Sequence, residues 1–178
     1  MATPDYPSRV TTPIILRPAR PVDLEPVVAI YNATIPGRQA TADTAPVTVA
    51  SRREWFDAHT PDRRPLWVAE DDRATVVGWL SLSDFYGRPA YGSTAEVSVY
   101  VADRVRGTGL GGRLLDHALV TAPDLGLDTL LGFIFAHNLA SLGLFGSRRF
   151  ERWGLLPDVA VLDGVTRSLA ILGRRLSG

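Results

Sequence analysis

The sequence contains no cysteine, which excludes disulfides, thiolate metal ligands and cysteine nucleophiles. It contains no lysine either, so Schiff-base chemistry and the lysine-dependent nucleoside-triphosphate loop are excluded. No segment approaches the ~18 consecutive apolar residues of a membrane-spanning helix. Residues 1–12 also lack the apolar core of a signal peptide. We therefore expect a cytoplasmic protein that does not act at a membrane.

The composition is that of a globular protein. A chain of 178 residues can bury a full core, so we expect a single domain over residues 1–178, with residues 1–12 as a flexible N-terminal extension. Hydrophobic residues make up 46% and charged residues 21%, proportions that exclude a disordered chain. The 19 basic and 19 acidic side chains cancel, which argues against a nucleic-acid partner.

Apolar periodicity and turn residues predict a mixed α/β sheet with helices packed on it. The predicted order of elements is β-α-α-β-β-β-α-β-α-β-β. Asp23 is expected to cap the first helix, and the fourth helix is expected over residues 141–148. The last two strands are expected in the segment VAVLDGVTRSLAIL, around a tight turn at Asp163-Gly164.

A glycine-rich segment, RGTGLGG, joins a predicted strand to a predicted helix. Backbone N–H groups at the start of a helix attract anions, most often phosphate. Gly107, Gly109 and Gly112 match the dinucleotide fingerprint G-x-G-x-x-G, but too little chain follows to build the remaining parallel strands. The segment also matches R-x-x-G-x-G, in which Arg106 adds charge to a pyrophosphate cradle. A turn without a ligand accounts for one glycine, but not for four beside an arginine.

The segment RGTGLG after the strand EVSVYV resembles the acetyl-CoA loop of the GNAT superfamily of N-acetyltransferases. The resemblance extends over LRPA, IYNATI, FYGRPAY and AHNLASLGLF. Together these segments are similar to the phosphinothricin and methionine-sulfoximine N-acetyltransferases. The resemblance covers roughly residues 14–172. It implies a GNAT-type α/β (α+β) fold, with a mixed, mostly antiparallel sheet of about seven strands flanked by about four helices.

The resemblance implies acetyl-CoA as co-substrate and a binding surface for it. The pantetheine arm would pair with the backbone of Val99, Tyr100 and Val101. The pyrophosphate would lie on backbone donors of a loop, namely Arg106, Gly107, Thr108, Gly109, Leu110, Gly111 and Gly112. Asn138 would touch the cofactor arm, although its place ahead of LASLGLF is equally typical of a helix N-cap, and one residue can do both.

Glu96 is the predicted general base. It interrupts an apolar strand just ahead of the pantetheine segment, where burial would raise the pKa of its carboxyl toward the working range. The resembled enzymes have a glutamate at this position. Alternation places Glu96 and Tyr100 on one face of the strand, but it leaves open whether that face meets a pocket or water.

Arg88 is the predicted substrate-binding residue, because an arginine fork suits a carboxylate or a phosphinate. It lies in the loop DFYGRPAYG, and we expect Phe85, Tyr86 and Trp79 to form walls of the substrate pocket. The alternative interpretation of Arg88 is a solvated loop arginine.

The sequence does not identify the group that protonates the departing thiolate. Phe145 fills the position at which many superfamily members carry a tyrosine. Solvent or another tyrosine would then act, the choices being Tyr31, Tyr86, Tyr91 and Tyr100. His137, at a strand end, is more typical of a structural histidine, and the scattered histidines predict no metal site.

The predicted function is acetyl-CoA-dependent N-acetylation of a small amine, such as an amino acid, phosphinothricin or methionine sulfoximine. Two alternatives stay open. One is an acyl-CoA sensor without catalysis, which the missing tyrosine leaves possible, and the other is acetylation of a protein or peptide. The resembled enzymes are commonly dimers, so we expect a homodimer.

Overall fold

The computed structural model describes residues 13–176, so the expected N-terminal extension over residues 1–12 lies outside the described residues. The elements follow in the order β1 (Ile15–Pro18), α1 (Leu24–Thr34), α2 (Val49–Asp57), β2 (Leu66–Glu70), β3 (Val76–Asp84), β4 (Thr94–Val101), α3 (Leu110–Thr121), β5 (Thr129–Phe135), α4 (Leu139–Gly146), β6 (Glu151–Leu162) and β7 (Val165–Arg175). The strands form one sheet in the order β1-β2-β3-β4-β5-β7-β6. The predicted fold class and element order are confirmed. Within residues 13–176, no helix has both the length and the apolar character needed to cross a membrane.

The sheet opens at its centre, between β4 and β5. These two strands are parallel, and they pair only from Thr94 opposite Thr129 to Glu96 opposite Leu131. On its other side, β4 pairs with β3 from Ala95 to Val101. Beyond Glu96 the strands β4 and β5 diverge, and the β5-facing backbone edge of β4 is left without a recorded strand partner in residues 13–176. A backbone edge of this kind can pair with an extended ligand.

Alternating residues of β3 and β4 supply two separate cores, one on each face of the sheet. On one face, Leu80, Leu82 and Val97 pack against α3, whose apolar side is buried. On the other face, Trp79 packs against Val27 and other residues of α1 and α2. The face that carries Trp79 also carries the polar side chains of both strands, so α1 and α2 cover a partly polar surface.

Three local predictions are wrong at their boundaries or in detail. Asp23 occupies the N-cap position of α1, but its side chain makes no capping bond there and instead accepts hydrogen bonds from Arg17 at 2.6 and 2.9 Å. Helix α4 begins two residues earlier than predicted, because Asn138 caps it. Strand β6 begins at Glu151, because it is an exposed edge strand whose pairing with β7 does not depend on apolar alternation.

Candidate active site

The glycine-rich loop has a backbone that only glycine adopts without strain at two positions. Gly107 has a φ of 75° and Gly109 a φ of 88°, both in the left-handed region. A Cβ at either position would meet no atom within 4 Å, so both glycines face open space. Gly109 is the N-cap of α3, and the first N–H groups of a helix have no acceptor within that helix. The loop therefore offers backbone donors and a positive helix end to an anion.

A groove of about 480 Å³ runs from this loop along the open edge of β4. It is lined by ten of the eleven residues predicted to bind the cofactor, namely Val99, Tyr100, Val101, Arg106, Gly107, Gly109, Leu110, Gly111, Gly112 and Asn138. Thr108 is the exception, and its hydroxyl donates to the carbonyl of Val105 at 2.7 Å. A phosphate cradle that continues into an unpaired strand edge fits coenzyme A, because a diphosphate and an amide-bearing arm follow one another in that molecule.

Asn138 is buried and makes hydrogen bonds with both ends of its amide. Its Oδ1 accepts from the backbone N–H of Ser141 at 3.0 Å, which confirms the predicted N-cap. Its Nδ2 donates to the carbonyl of Gln39 at 3.1 Å. Tyr100 donates its hydroxyl hydrogen bond to the neighbouring carbonyl of Ala40 at 3.1 Å. These two hydrogen bonds connect the loop between α1 and α2 to β4 and to the start of α4, beside the β5-facing edge of β4.

Glu96 faces a second cavity of about 290 Å³. The cavity floor consists of alternate residues of two paired strands, with Trp79 opposite Tyr100, Ser81 opposite Ser98 and Ser83 opposite Glu96. Residues of α1 and α2 form the remaining walls, namely Val27, Val28, Tyr31, Arg52 and Trp55, together with Val47 of the connecting loop. The face shared by Glu96 and Tyr100 therefore meets a pocket, which the alternation of the strand could not decide.

Burial raises the pKa of the Glu96 carboxyl, and the hydroxyl of Ser98 opposes that rise by hydrogen bonding. Glu96 also lines a third cavity of about 450 Å³, which lies in the opening between β4 and β5 and shares Val99, Tyr100 and Asn138 with the groove. The carboxyl thus lies where the pocket and the cofactor groove meet. A carboxyl with a raised pKa at such a junction can accept a proton from a group in the pocket.

Arg52 is a pocket residue that the sequence analysis missed. It lies on α2, ion-pairs with Asp43 at 3.0 Å and places its guanidinium 4.8 Å from the ring centre of Tyr31. Among the described residues that line this pocket, Arg52 and Glu96 are the two with ordinarily charged side chains. The available signal was helical spacing, because Arg52 precedes the inward-facing Trp55 by three residues and shares its side of the helix.

The loop predicted to bind substrate lies mostly outside the three cavities. Arg88 is exposed and does not belong to the described lining of any of them. Tyr86 is 77% exposed, and Phe85 stacks on Phe133 of the third cavity with ring centres 6.2 Å apart. Of the four residues predicted to contact substrate, Trp79 alone lines the Glu96 pocket, where its indole N–H donates to the carbonyl of Val27 at 3.2 Å.

Tyr100 is the tyrosine closest to all parts of the site, since it lines all three cavities. Burial raises the pKa of its hydroxyl, and burial also raises the pKa of Tyr31, whose hydroxyl donates to Asp43 at 2.6 Å.

Phe145 is buried beside the third cavity. His137 donates from Nε2 to the carbonyl of Arg38 at 2.8 Å. Within residues 13–176, no three His, Asp or Glu side chains are grouped as metal ligands.

Comparisons with known proteins agree with this geometry. Residues 27–150 match the family described as Acetyltransferase (GNAT) family. The chain is 54% identical over 162 residues to YwnH of Bacillus subtilis (strain 168), named as a candidate phosphinothricin acetyltransferase, covering 91% of this chain and 99% of YwnH. It is 37% identical over 144 residues to the L-methionine sulfoximine/L-methionine sulfone acetyltransferase of Pseudomonas paraeruginosa (strain DSM 24068 / PA7), covering 81% and 84% of the two chains.

One of the similar solved structures contains acetyl-CoA. The chain matches a GNAT superfamily phosphinothricin acetyltransferase from Sinorhizobium meliloti in complex with acetyl-CoA, with a TM-score of 0.86 and 28% identity. The match covers 91% of this chain and 88% of that one. The chain therefore belongs to the GNAT acetyltransferase family, in the branch similar to phosphinothricin and methionine sulfoximine acetyltransferases, and it is an acetyl-CoA-dependent N-acetyltransferase.

Proposed function

We propose that the chain acetylates the α-amine of a small amino acid or amino-acid analogue, of which phosphinothricin and methionine sulfoximine are examples. One observation carries this proposal: the pocket holds one carboxylate, Glu96, and one guanidinium, Arg52, among aromatic walls. A free amino acid carries an amine and a carboxylate, which these two side chains complement. The names of the relatives given above support the same class of substrate.

In the proposed reaction Glu96 accepts a proton from the substrate amine, directly or through a water molecule. The freed nitrogen lone pair forms a bond to the acetyl carbonyl carbon, and the carbon–sulfur bond breaks. Acetyl-CoA, when bound, supplies the thioester as an activated acetyl group. Solvent or the hydroxyl of Tyr100 returns a proton to the thiolate, since Tyr100 lines all three cavities. Removal of such a general base lowers a rate by roughly 10²- to 10⁴-fold.

We propose that the cofactor occupies the groove as the resemblance implied. Gly107, Gly109 and Gly111 would present backbone N–H groups to the diphosphate, and Arg106 would add charge. The backbone of Val99–Val101 would pair with the pantetheine amides, because this part of β4 has no strand partner on its β5 side among the described residues. Asn138 is supported as a neighbour of the cofactor arm by its place in both the groove and the third cavity.

We assign the substrate carboxylate to Arg52 rather than to Arg88. Arg52 lines the pocket that contains Glu96, whereas the exposed Arg88 does not. Trp79 would form the floor of this pocket. The predictions for Arg88, Tyr86 and Phe85 stay predictions, with Phe85 supported by its stacking on Phe133.

The function is tested with purified protein, acetyl-CoA, a thiol reagent and a panel of free amino acids, their analogues and peptide-embedded forms. We expect thiol release with free amino-acid acceptors, and roughly 10²- to 10⁴-fold slower release by Glu96→Gln. Glu54→Gln is the matched control, because Glu54 is exposed on α2. Release with peptides alone would favour a protein substrate, and no release with any amine would contradict the proposal and favour a sensor.

We further propose a homodimer that acts in the cytoplasm, where acetyl-CoA is consumed. Strand β6 lies at the sheet edge and exposes apolar side chains, including Trp153 at 44% and Val161 at 62%. A row of exposed apolar residues on an edge strand is typical of a surface that pairs with another chain. Sedimentation equilibrium is expected to give twice the chain mass, and Val161→Lys is expected to lower it to one chain.

A further inference from the structure

Gly112, the fourth glycine of the loop, has different surroundings from Gly107 and Gly109. A Cβ at Gly112 would lie 2.1 Å from Nη2 and 2.8 Å from Cζ of Arg148. The guanidinium of Arg148 therefore occupies the space that this glycine leaves free beside the first turn of α3. Gly112 also lines the groove, so the guanidinium of Arg148 packs against one of the residues that form it.

Arg148 is held in place by both its side chain and its backbone. Its Nε and Nη2 donate to the two carboxylate oxygens of Asp116 at 3.1 and 3.2 Å, and its Nη1 donates to Oγ of Ser147 at 2.7 Å. Its carbonyl accepts a hydrogen bond from Arg174. A guanidinium has five N–H donors, so the contacts recorded within residues 13–176 leave two for a further acceptor. The side chain is 27% exposed, so an acceptor can reach it.

The groove offers few positively charged side chains to the three phosphate groups of coenzyme A. Among the described residues that line the groove, Arg106 alone has a charged side chain, and it is paired with Asp103 at 2.9 Å. The backbone donors of the loop and Arg106 suit the diphosphate. The 3′-phosphate of the adenosine is a monoester with a charge of about −1.5 to −2 at neutral pH. Its charge is comparable to that of the whole diphosphate, and the residues assigned so far leave it without a partner.

We propose that Arg148 binds the 3′-phosphate of coenzyme A and makes the enzyme prefer it to 3′-dephospho-coenzyme A. The inference rests on the placement of the cofactor in the groove given under the proposed function. Leu144 of α4 lines the groove, and Arg148 lies in the turn just after α4 ends at Gly146. Its guanidinium packs against Gly112 and is therefore a neighbour of the glycine-rich loop. Gly112 serves this arrangement by leaving room for the guanidinium, and Asp116 orients it.

Isothermal titration calorimetry with coenzyme A and with 3′-dephospho-coenzyme A tests the proposal without requiring turnover. Charge-assisted hydrogen bonds to phosphate, partly exposed here, predict that the wild type binds coenzyme A about tenfold more tightly than the dephospho form. Arg148→Gln is expected to bind both compounds equally, at the affinity that the wild type has for the dephospho form. Gly112→Ala is expected to reduce the ratio as well, because the added Cβ displaces the guanidinium.

Arg149→Gln is the matched control, since it removes the same charge from the next residue. The three atoms nearest to a Cβ at Gly112 all belong to Arg148, so this variant should keep the tenfold ratio. Raising the salt concentration should shrink the wild-type ratio. A ratio that survives Arg148→Gln, or a wild type that binds both compounds equally, would overturn the role of Arg148 while leaving the proposed function intact. A wild type that binds neither compound would overturn both.

Discussion

Replacing Arg52 by glutamine removes from the pocket the guanidinium that we assign to the substrate carboxylate. A hydrogen bond to a charged group contributes about 1.5–3 kcal/mol, so KM for an amino-acid acceptor should rise roughly 10- to 150-fold. The protein should remain folded after this change. The side chains of Arg52 and Asp43 are 28% and 41% exposed, and ion pairs this exposed contribute less than about 1 kcal/mol to stability. The value of kcat should change little, since the amine still reaches Glu96.

The assay is thiol release measured at varied concentrations of an amino-acid acceptor and of the amine that lacks its carboxylate. The wild type should prefer the amino acid, and Arg52→Gln should lose that preference. Arg53→Gln provides the control, because Arg53 is exposed on the same helix and does not belong to the described lining of the pocket. An unchanged preference in Arg52→Gln, or an equal loss in Arg53→Gln, would refute the assignment.

Three further predictions follow from the same structure. Gly109→Ala should cost about 1–2 kcal/mol through its left-handed φ of 88° and should weaken coenzyme A binding in calorimetry; unchanged affinity would contradict the loop assignment. Burial raises the pKa of Glu96 in the folded protein above its value in the unfolded chain. The stability that the protonated carboxyl contributes is therefore fully present below the unfolded pKa, and it is lost as pH rises through the folded pKa. Glu96→Gln should therefore raise Tm at pH 7 but hardly at pH 4 by scanning calorimetry, and an equal change at both pH values would count against a raised pKa. Arg17→Gln leaves the buried Asp23 without its main partner and should lower the free energy of unfolding by roughly 3 kcal/mol in urea titrations; a loss below about 0.5 kcal/mol, typical of a surface pair, would contradict this.

The backbone conformation of the glycine-rich loop could be predicted from the sequence, because it follows from the glycines and from the elements on either side. Left-handed positions such as Gly107 and Gly109 favour glycine, and a strand before them with a helix after them determines where the N–H groups point. The order of the elements was likewise predictable, since most helices and strands carry their own apolar period. Strand β6 is the exception, because an edge strand with exposed residues is held by its neighbour rather than by its own pattern.

The acceptor pocket could be predicted only in part, because it is formed by tertiary packing. Alternation showed that Glu96 and Tyr100 share a face, but α1 and α2 had to be placed before that face became a pocket. Arg52 enters the pocket through the packing of α2 over β3 and β4, which no local motif encodes. Arg88 lies close to Glu96 in the sequence, yet it is exposed and does not belong to the described lining of the pocket. Proximity along the chain therefore did not indicate which side chains line the Glu96 pocket.

The pH dependence of kcat/KM for a free amino-acid acceptor, compared between the wild type and Glu96→Gln, tests the central claim most directly. The carboxylate form of Glu96 is the base, so the wild-type rate should fall on the acid side as pH decreases through the raised pKa of Glu96. Glu96→Gln should lose this acid limb together with roughly 10²- to 10⁴-fold of the rate. A variant that keeps the acid limb and a rate near that of the wild type would contradict the account.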